Sequence, residues 1–353
     1  MLAPELRTRD PRAHPQARRQ LLVRLVIPSM AAIGIGAIAV VSIAFVLGPS
    51  NVLRAFSSPH PEWIALSVGA NLLVYPAYMI VYRQLVAYRA RSSATGYRAR
   101  ELPLVRRAVM AGFGLFSIGG GFRVDREVLQ ILDEDDRSAR VQVLALATLE
   151  WAVLAPVACL VSIGLLAGRA DVIPSLLWPW AVAVPLGFGL ALWVSQPRRA
   201  ERLSRIGGTS RDWILLGLEG VGALRVLIRH PRRSAPAWLG MTLYWAADVT
   251  VFYGALRGFG LDPGIGVVII AYATGYAATR RSLPLGGAGV TEVLMTYSLY
   301  WVHQPLAPAL AAVVVYRSFN FLIAAAPGVI AYHHLQEEIT SGKAATAAHG
   351  STT

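Results

Sequence analysis

Three stretches of this chain, Leu25 to Gly48, Trp63 to Tyr82 and Val172 to Pro197, contain no Asp, Glu, Lys, Arg or His. A helix needs about 20 apolar residues to cross roughly 30 Å of hydrocarbon, and no water is present there to satisfy a broken backbone. Each of the three runs meets that length. Val141 to Gly168, Ser234 to Leu256 and Ser318 to Gln336 also meet it if one charge within or beside each is tolerated, namely Glu150, Asp248 and Arg317. Pro263 to Thr279 is shorter but still a plausible crossing. With 55% hydrophobic and 15% charged residues, too little polar surface remains for a water-soluble globule. The sequence therefore predicts an all-α, polytopic membrane helix bundle of seven or eight spans. Its expected divisions are a basic segment over 1–24, the bundle over 25–336 and a disordered tail, rich in small polar residues, over 337–353. The first apolar run is too long for a signal peptide and reads as a spanning helix.

The positions of the arginines set the expected topology. Arg7, Arg9, Arg12, Arg18, Arg19 and Arg24 precede the first run, which puts the amino terminus in the cytoplasm by the positive-inside rule. Loops 83–107 and 198–233 carry further clusters and should share that side. The net charge of +13 is thereby accounted for at membrane edges, and a nucleic-acid partner is not indicated. Two crossings lie between segment 123–140 and the cluster after Pro197, so that segment must also be cytoplasmic. Ala108 to Phe122 then has to enter and leave on one side. It is short for a span and contains Gly112, Gly114, Gly119, Gly120 and Gly121. A re-entrant half-helix fits, since broken backbone survives at membrane depth only inside protein or beside a hydrated cavity. Arg211 to His230, apolar among charges, reads as an interfacial helix or as the extension of a span.

A second break falls at Leu283, Pro284, Leu285, Gly286, Gly287, Ala288 and Gly289, with Glu292 shortly after. A turn between two helices accounts for it. A carboxylate opening a helix near the membrane, where the helix dipole favours it, is the functional reading. Both glycine sites lead into a Glu-Val-Leu triplet, at Glu127 and at Glu292, which hints at an internal repeat of the transporter sort. Whether Leu283 to Val302 crosses or loops back stays open, and with it the side of the carboxyl terminus.

Ionisable residues at membrane depth are expensive and so mark candidate sites. Arg317 falls near mid-membrane and needs a partner, for which Glu292 or Asp248 is the natural choice. The pair either fixes helix register or opens a hydrated cavity in which a guanidinium meets an anionic headgroup phosphate through two parallel hydrogen bonds. Glu150 lies deep or snorkels to the boundary. Gly119, Gly120, Gly121, Arg123 and Arg126 are secondary candidates. His303, His333 and His334 read as interfacial, the last two pointing to different faces of a helix, so no metal site is expected. Cys159 stands alone, which excludes an intramolecular disulfide. Trp63, Trp178, Trp180, Trp238 and Trp301 near the run ends read as an interfacial belt.

The order Tyr244, Trp245, Asp248, Tyr253, Ala255, Leu256, Phe259, Gly260, then Tyr272 and Gly275, then Leu283, Pro284, Gly286, Gly287, Gly289 and Glu292, then Tyr316, Arg317 and Gly328 resembles the flippase-like transmembrane domain family of lysylphosphatidylglycerol synthase. The resemblance covers roughly 240–330. In the first half, where the family has a proline, arginine, glycine and glutamate element, this sequence has Gly119 to Arg126 with no proline. The resemblance implies translocation of a lipid headgroup between leaflets, along a path formed by Asp248, Pro284, Gly286, Gly287, Gly289, Glu292 and Arg317. The expected partners are membrane lipids with anionic or glycosylated headgroups, in a bacterial inner membrane. Lysyl transfer is not expected, because the synthases' soluble aminoacyltransferase domain has no counterpart here. No cofactor is implied, and no glycine-lysine phosphate loop is present for ATP use. No catalytic constellation emerges either, though a membrane-embedded lipid-modifying transferase remains one alternative. Another is a non-transporting partner of a cell-envelope enzyme, and a homo-oligomer is compatible with any of these.

Overall fold

The computed structural model describes residues 13–57, 59–89, 102–119, 126, 136–168, 172–196, 198–199, 210–277 and 287–350. The described residues fold into eleven helices and no strand. They are α1 (Ala13–Leu47), α2 (Pro49–Phe56), α3 (Pro61–Arg89), α4 (Leu102–Gly119), α5 (Asp136–Ala167) and α6 (Pro174–Val194). Then come α7 (Ser210–Arg229), α8 (Pro231–Gly258), α9 (Ile265–Tyr276), α10 (Val290–Tyr300) and α11 (Leu306–Gly350).

Windows in α1, α3, α5, α6 and α11 are long and apolar enough to cross a membrane. Helix α8 is more polar, carrying Arg232, Arg233, Asp248 and Arg257, yet it runs antiparallel against α3. Gly240 lies against Ala77 and Val81, while Gly258 lies against Ile64 and His60. Those contacts cover about 27 Å of helix at 1.5 Å per residue, so α8 crosses wherever α3 does.

Neighbour pairs give the direction of the other helices. Ile43 of α1, Val52 of α2 and Leu310 of α11 form one cluster, so α1 ends where α11 begins. Gly266, at the start of α9, packs on Val161 and Leu165 near the end of α5. Gly220 of α7 packs on Leu144 near the beginning of α5. Arg225 of α7 donates to the carbonyl oxygens of Ser195, at 3.1 Å, and Leu192 at the end of α6. One face of the bundle therefore collects the described arginines 83, 106, 107, 198, 199, 225, 229, 232 and 233. The expected grouping of loops 83–107 and 198–233 on one side follows from these contacts.

Two elements enter the bundle without crossing it. On α4, an added Cβ at Gly114 would lie 2.6 Å from the Ala324 carbonyl, and Met110 O approaches Gly328. Higher numbers on α4 thus meet lower numbers on α11, and α4 enters antiparallel to it from the arginine face. It ends at Gly119, about 8 Å beyond Gly114, roughly level with Asn320. Because α5 begins again at the arginine face, the chain from α4 to α5 enters and leaves on one side, as the charge pattern requires. From the opposite face, α9 descends into the bundle and α10 returns, with Gly275 close against Met295. The open question over Leu283 to Val302 is thus answered by a loop back, and Pro263 to Thr279 contributes a half-span rather than a crossing. The seven or eight expected spans become six through-going helices and two opposed re-entrant elements among the described residues. Both ends of the described chain, at the start of α1 and the end of α11, lie on the arginine face.

Local chemistry explains several details. Pro185 has no N–H for the Ala181 carbonyl, and the helix widens to a π-turn over Pro179–Ala183. Cys159 Sγ of α5 approaches that carbonyl at 3.9 Å. Helix α7 is separate from α8, broken at His230, where Pro231 opens the next helix. The segment 337–353, expected to be disordered, is helical as far as Gly350. Ala344, Ala345, Ala347 and Ala348 supply the strong helix propensity there.

Two outcomes are expected. Reporter fusions at the two termini should both register the same side of the membrane, and opposite sides would contradict six crossings. Gly114→Leu should lower stability by about 1–3 kcal/mol through overpacking against α11. Gly189→Leu, where an added Cβ meets nothing within 4 Å, should leave the thermal midpoint in detergent unchanged.

Candidate functional site

Arg317 lies about 16 Å along α11 from Leu306, with only 5% of its surface exposed. Its Nε donates to Glu292 Oε1 at 2.8 Å. The other oxygen of Glu292 accepts the Gly289 N–H at 2.6 Å. One buried carboxylate thereby neutralises a guanidinium and satisfies an orphan N–H at the opening of α10, where the helix dipole also favours negative charge. Gly289 has φ +82°, and an added Cβ would lie 2.9 Å from Ile35 of α1, so the turn needs glycine. The guanidinium also faces the rings of Phe321 and Tyr276, at 4.5 Å and 5.6 Å from their centroids.

Asp248 occupies a second arrangement on the neighbouring turn of α8. Tyr272 donates its hydroxyl to Oδ2 at 2.5 Å, and Tyr316 donates to Oδ1 at 3.2 Å. Tyr272, Tyr276 and Tyr316 meet ring to ring at centroid separations of 5.4–6.1 Å. The aromatic wall supplies both packing and the hydroxyls that hold the acid. Because Tyr316 and Arg317 are consecutive on α11, one turn of that helix serves both carboxylates.

Glu150 is buried rather than snorkelling. Tyr78 donates to its Oε1 at 3.1 Å, and Trp245 Nε1 donates to its backbone carbonyl at 2.9 Å. Nearby, Tyr75 donates to Asn71, and Asn71 donates to Asn320 on α11 at 3.1 Å. Ser67, Asn71, Tyr75 and Tyr78 are not among the candidates named from the sequence. Their spacing of four, four and three residues along an uncharged span was the available signal, since it lines one helix face.

The structure brings Asp248, Gly289, Glu292 and Arg317 into one region. Gly287, in the turn before α10, has φ +70°. Pro284, Gly286, Gly120, Gly121 and Arg123 lie outside the described residues, as does Glu127 of the suggested repeat; Gly119 ends α4, and Arg126 is half-buried. His333 and His334 were expected on different faces, yet both reach Glu337, at 3.3 Å and 3.4 Å. The i,i+4 and i,i+3 spacings allow this, and the ligand-type atoms of the three residues lie within 4.8 Å of one another. Trp180, assigned to the interfacial belt, instead donates to Thr274 of α9 at 2.9 Å and stacks on Trp151.

Apolar helices enclosing buried, paired charges between two opposed half-helices define a multi-pass membrane protein. The model of the lysylphosphatidylglycerol synthase transmembrane region matches residues 141–328, and the chain belongs to that family. It is accordingly a membrane protein related to lipid modification or transport. No curated protein matches the chain.

Removing one partner of a buried ion pair strands the other charge, at a cost of about 3–5 kcal/mol. Arg317→Ala should therefore unfold at markedly lower temperature in detergent. Arg317→Met combined with Glu292→Gln should recover part of that loss, and equal damage in the single and double variants would show that the pair does not carry the stability.

Proposed function

We propose that this protein is a translocase that moves lipids with polar or anionic headgroups between leaflets, without covalent change to the lipid. The observation that supports this most is the Glu292–Arg317 pair, held at mid-depth where half-helices from the two faces converge. A headgroup phosphate is the right shape and charge to take the place of Glu292 on the guanidinium. Exchange of one anion for another keeps the buried cation paired throughout, which avoids the several kcal/mol that an isolated buried charge would cost. Asp248, fixed by two tyrosine hydroxyls, borders the same path and disfavours a second phosphate. Half-helices entering from opposite faces match the arrangement in which alternate access from either side reaches one central site. In this reading the arginine face is cytoplasmic, by the positive-inside rule, and the membrane is a bacterial inner membrane.

The test is reconstitution into liposomes containing fluorescent phosphatidylglycerol, phosphatidylcholine or a glycolipid, followed by chemical quenching of the outer leaflet. Wild-type protein should equalise the leaflets for at least one anionic or glycosylated lipid. Arg317→Gln and Glu292→Gln, checked for folding, should slow this at least tenfold. Leaflet exchange no faster than in protein-free liposomes would overturn the proposal, and a lipid recovered in altered chemical form would point to a transferase.

A further inference from the structure

Away from the central charges, a groove of about 550 Å³ opens between α5, α6 and α7. Its walls run from Leu144 to Ala155 on α5 and from Pro179 to Leu192 on α6, with Val221 and Leu224 closing it from α7. Along α5 it extends about 16 Å. That is about half of the roughly 30 Å hydrocarbon core, or the depth of one leaflet. Thr148 is the only lining residue with a polar side chain besides the two indoles, and its hydroxyl is occupied by the Leu144 carbonyl at 2.7 Å. The stacked indoles of Trp151 and Trp180, 6.2 Å between centroids, line it at mid-depth.

At the arginine face a second cavity of about 420 Å³ adjoins the groove through Leu192. It is lined by Leu192, Trp193, Gln196, Arg225, Ile228 and Arg229, with no acid among them. Arg225 is fixed by its bonds to Leu192 and to the Ser195 carbonyl and hydroxyl. Three acceptors leave part of its five-donor fork unused. Arg229 is exposed and has no hydrogen bond or ion pair among the described residues. An apolar slot one leaflet deep, ending at two cations at headgroup level, has the form of a phospholipid.

We propose that this groove is a binding site for an anionic phospholipid, with one acyl chain lying between α5 and α6 and the phosphate held by Arg225 and Arg229. The site is separate from the Asp248, Glu292 and Arg317 region and does not depend on the translocation reading. Its occupant adds to the contacts that hold the peripheral helix α6 against α5 and α7, since most of α6's surface faces outward. A zwitterionic headgroup such as phosphatidylcholine offers the same phosphate but sets its choline cation against the two arginines, so the preference for net negative charge resides in the arginines.

Gly187 gives a clean way to fill the slot, because it lines the groove and an added Cβ meets nothing within 4 Å. The experiment is photo-cross-linking of the full-length protein in vesicles doped with phosphatidylglycerol or phosphatidylcholine bearing a diazirine in the acyl chain, with adducts mapped by peptide mass spectrometry. Wild type should give adducts concentrated within 144–155 and 179–192, at least threefold more with phosphatidylglycerol. Gly187→Leu should remove most adducts of both lipids, whereas Arg229→Gln should abolish the preference for phosphatidylglycerol and keep the phosphatidylcholine signal. Adducts spread evenly over α1, α3 and α6, equal yields from the two lipids in wild type, or unchanged yields in folded Gly187→Leu would each overturn the proposal. Because the readout is local to the groove, it stands or falls separately from leaflet exchange.

Discussion

The arrangement of the membrane interior depends on a single carboxylate. Glu292 gives one oxygen to the Arg317 guanidinium and the other to the Gly289 N–H, at 2.8 Å and 2.6 Å. In hydrocarbon, neither the cation nor the unpaired N–H of a helix that begins at mid-depth can be left to water. One side chain meets both demands, and so a helix can start within the membrane and remain there. The turn before it then needs glycine with positive φ, and α1 can lie against that turn with Ile35 in contact.

Around this point, the other two buried acids are each bound by neighbours from other helices. Tyr272 and Tyr316 join α9 and α11 to α8 through Asp248, while Tyr78 and Trp245 join α3 and α8 to α5 through Glu150. Dispersion and small-residue contacts do the rest, since lipid tails offer no hydrophobic gain for helix association. Gly114 against Gly328 and Gly275 against Met295 let backbones approach where side chains would hold them apart.

Much of this architecture was legible in the sequence, because the membrane reduces the choice of structure to helix and the arginines report sidedness. Counting crossings between arginine clusters was enough to require the chain from α4 to α5 to return to the side it entered. Glu292 or Asp248 could be named as the partner of Arg317 from cost alone, and the contact itself singles out Glu292. What could not be read was the end of α9, because a re-entrant half-helix and a short span have the same composition, and only contacts such as Gly275 on Met295 separate them. Tyr272 and Tyr316 stood in the family pattern without a role, and their grip on Asp248, like the polar stripe of α3, could not be read for a different reason. Uncharged residues carry no obvious penalty in a hydropathy profile, and their roles depend on which neighbour they face. The helical extension to Gly350 was missed because small polar residues and alanines were weighed by composition rather than by propensity.

Tyr316 and Arg317 occupy neighbouring positions on one helix, about 100° apart at 3.6 residues per turn. The first grips the carboxylate on α8, the second the carboxylate on α10. Helix α11 is therefore a shaft with two spokes set in different directions. Turning it either way about its own axis strains both grips together, so the two acidic centres are mechanically geared and neither can be released without the other being felt.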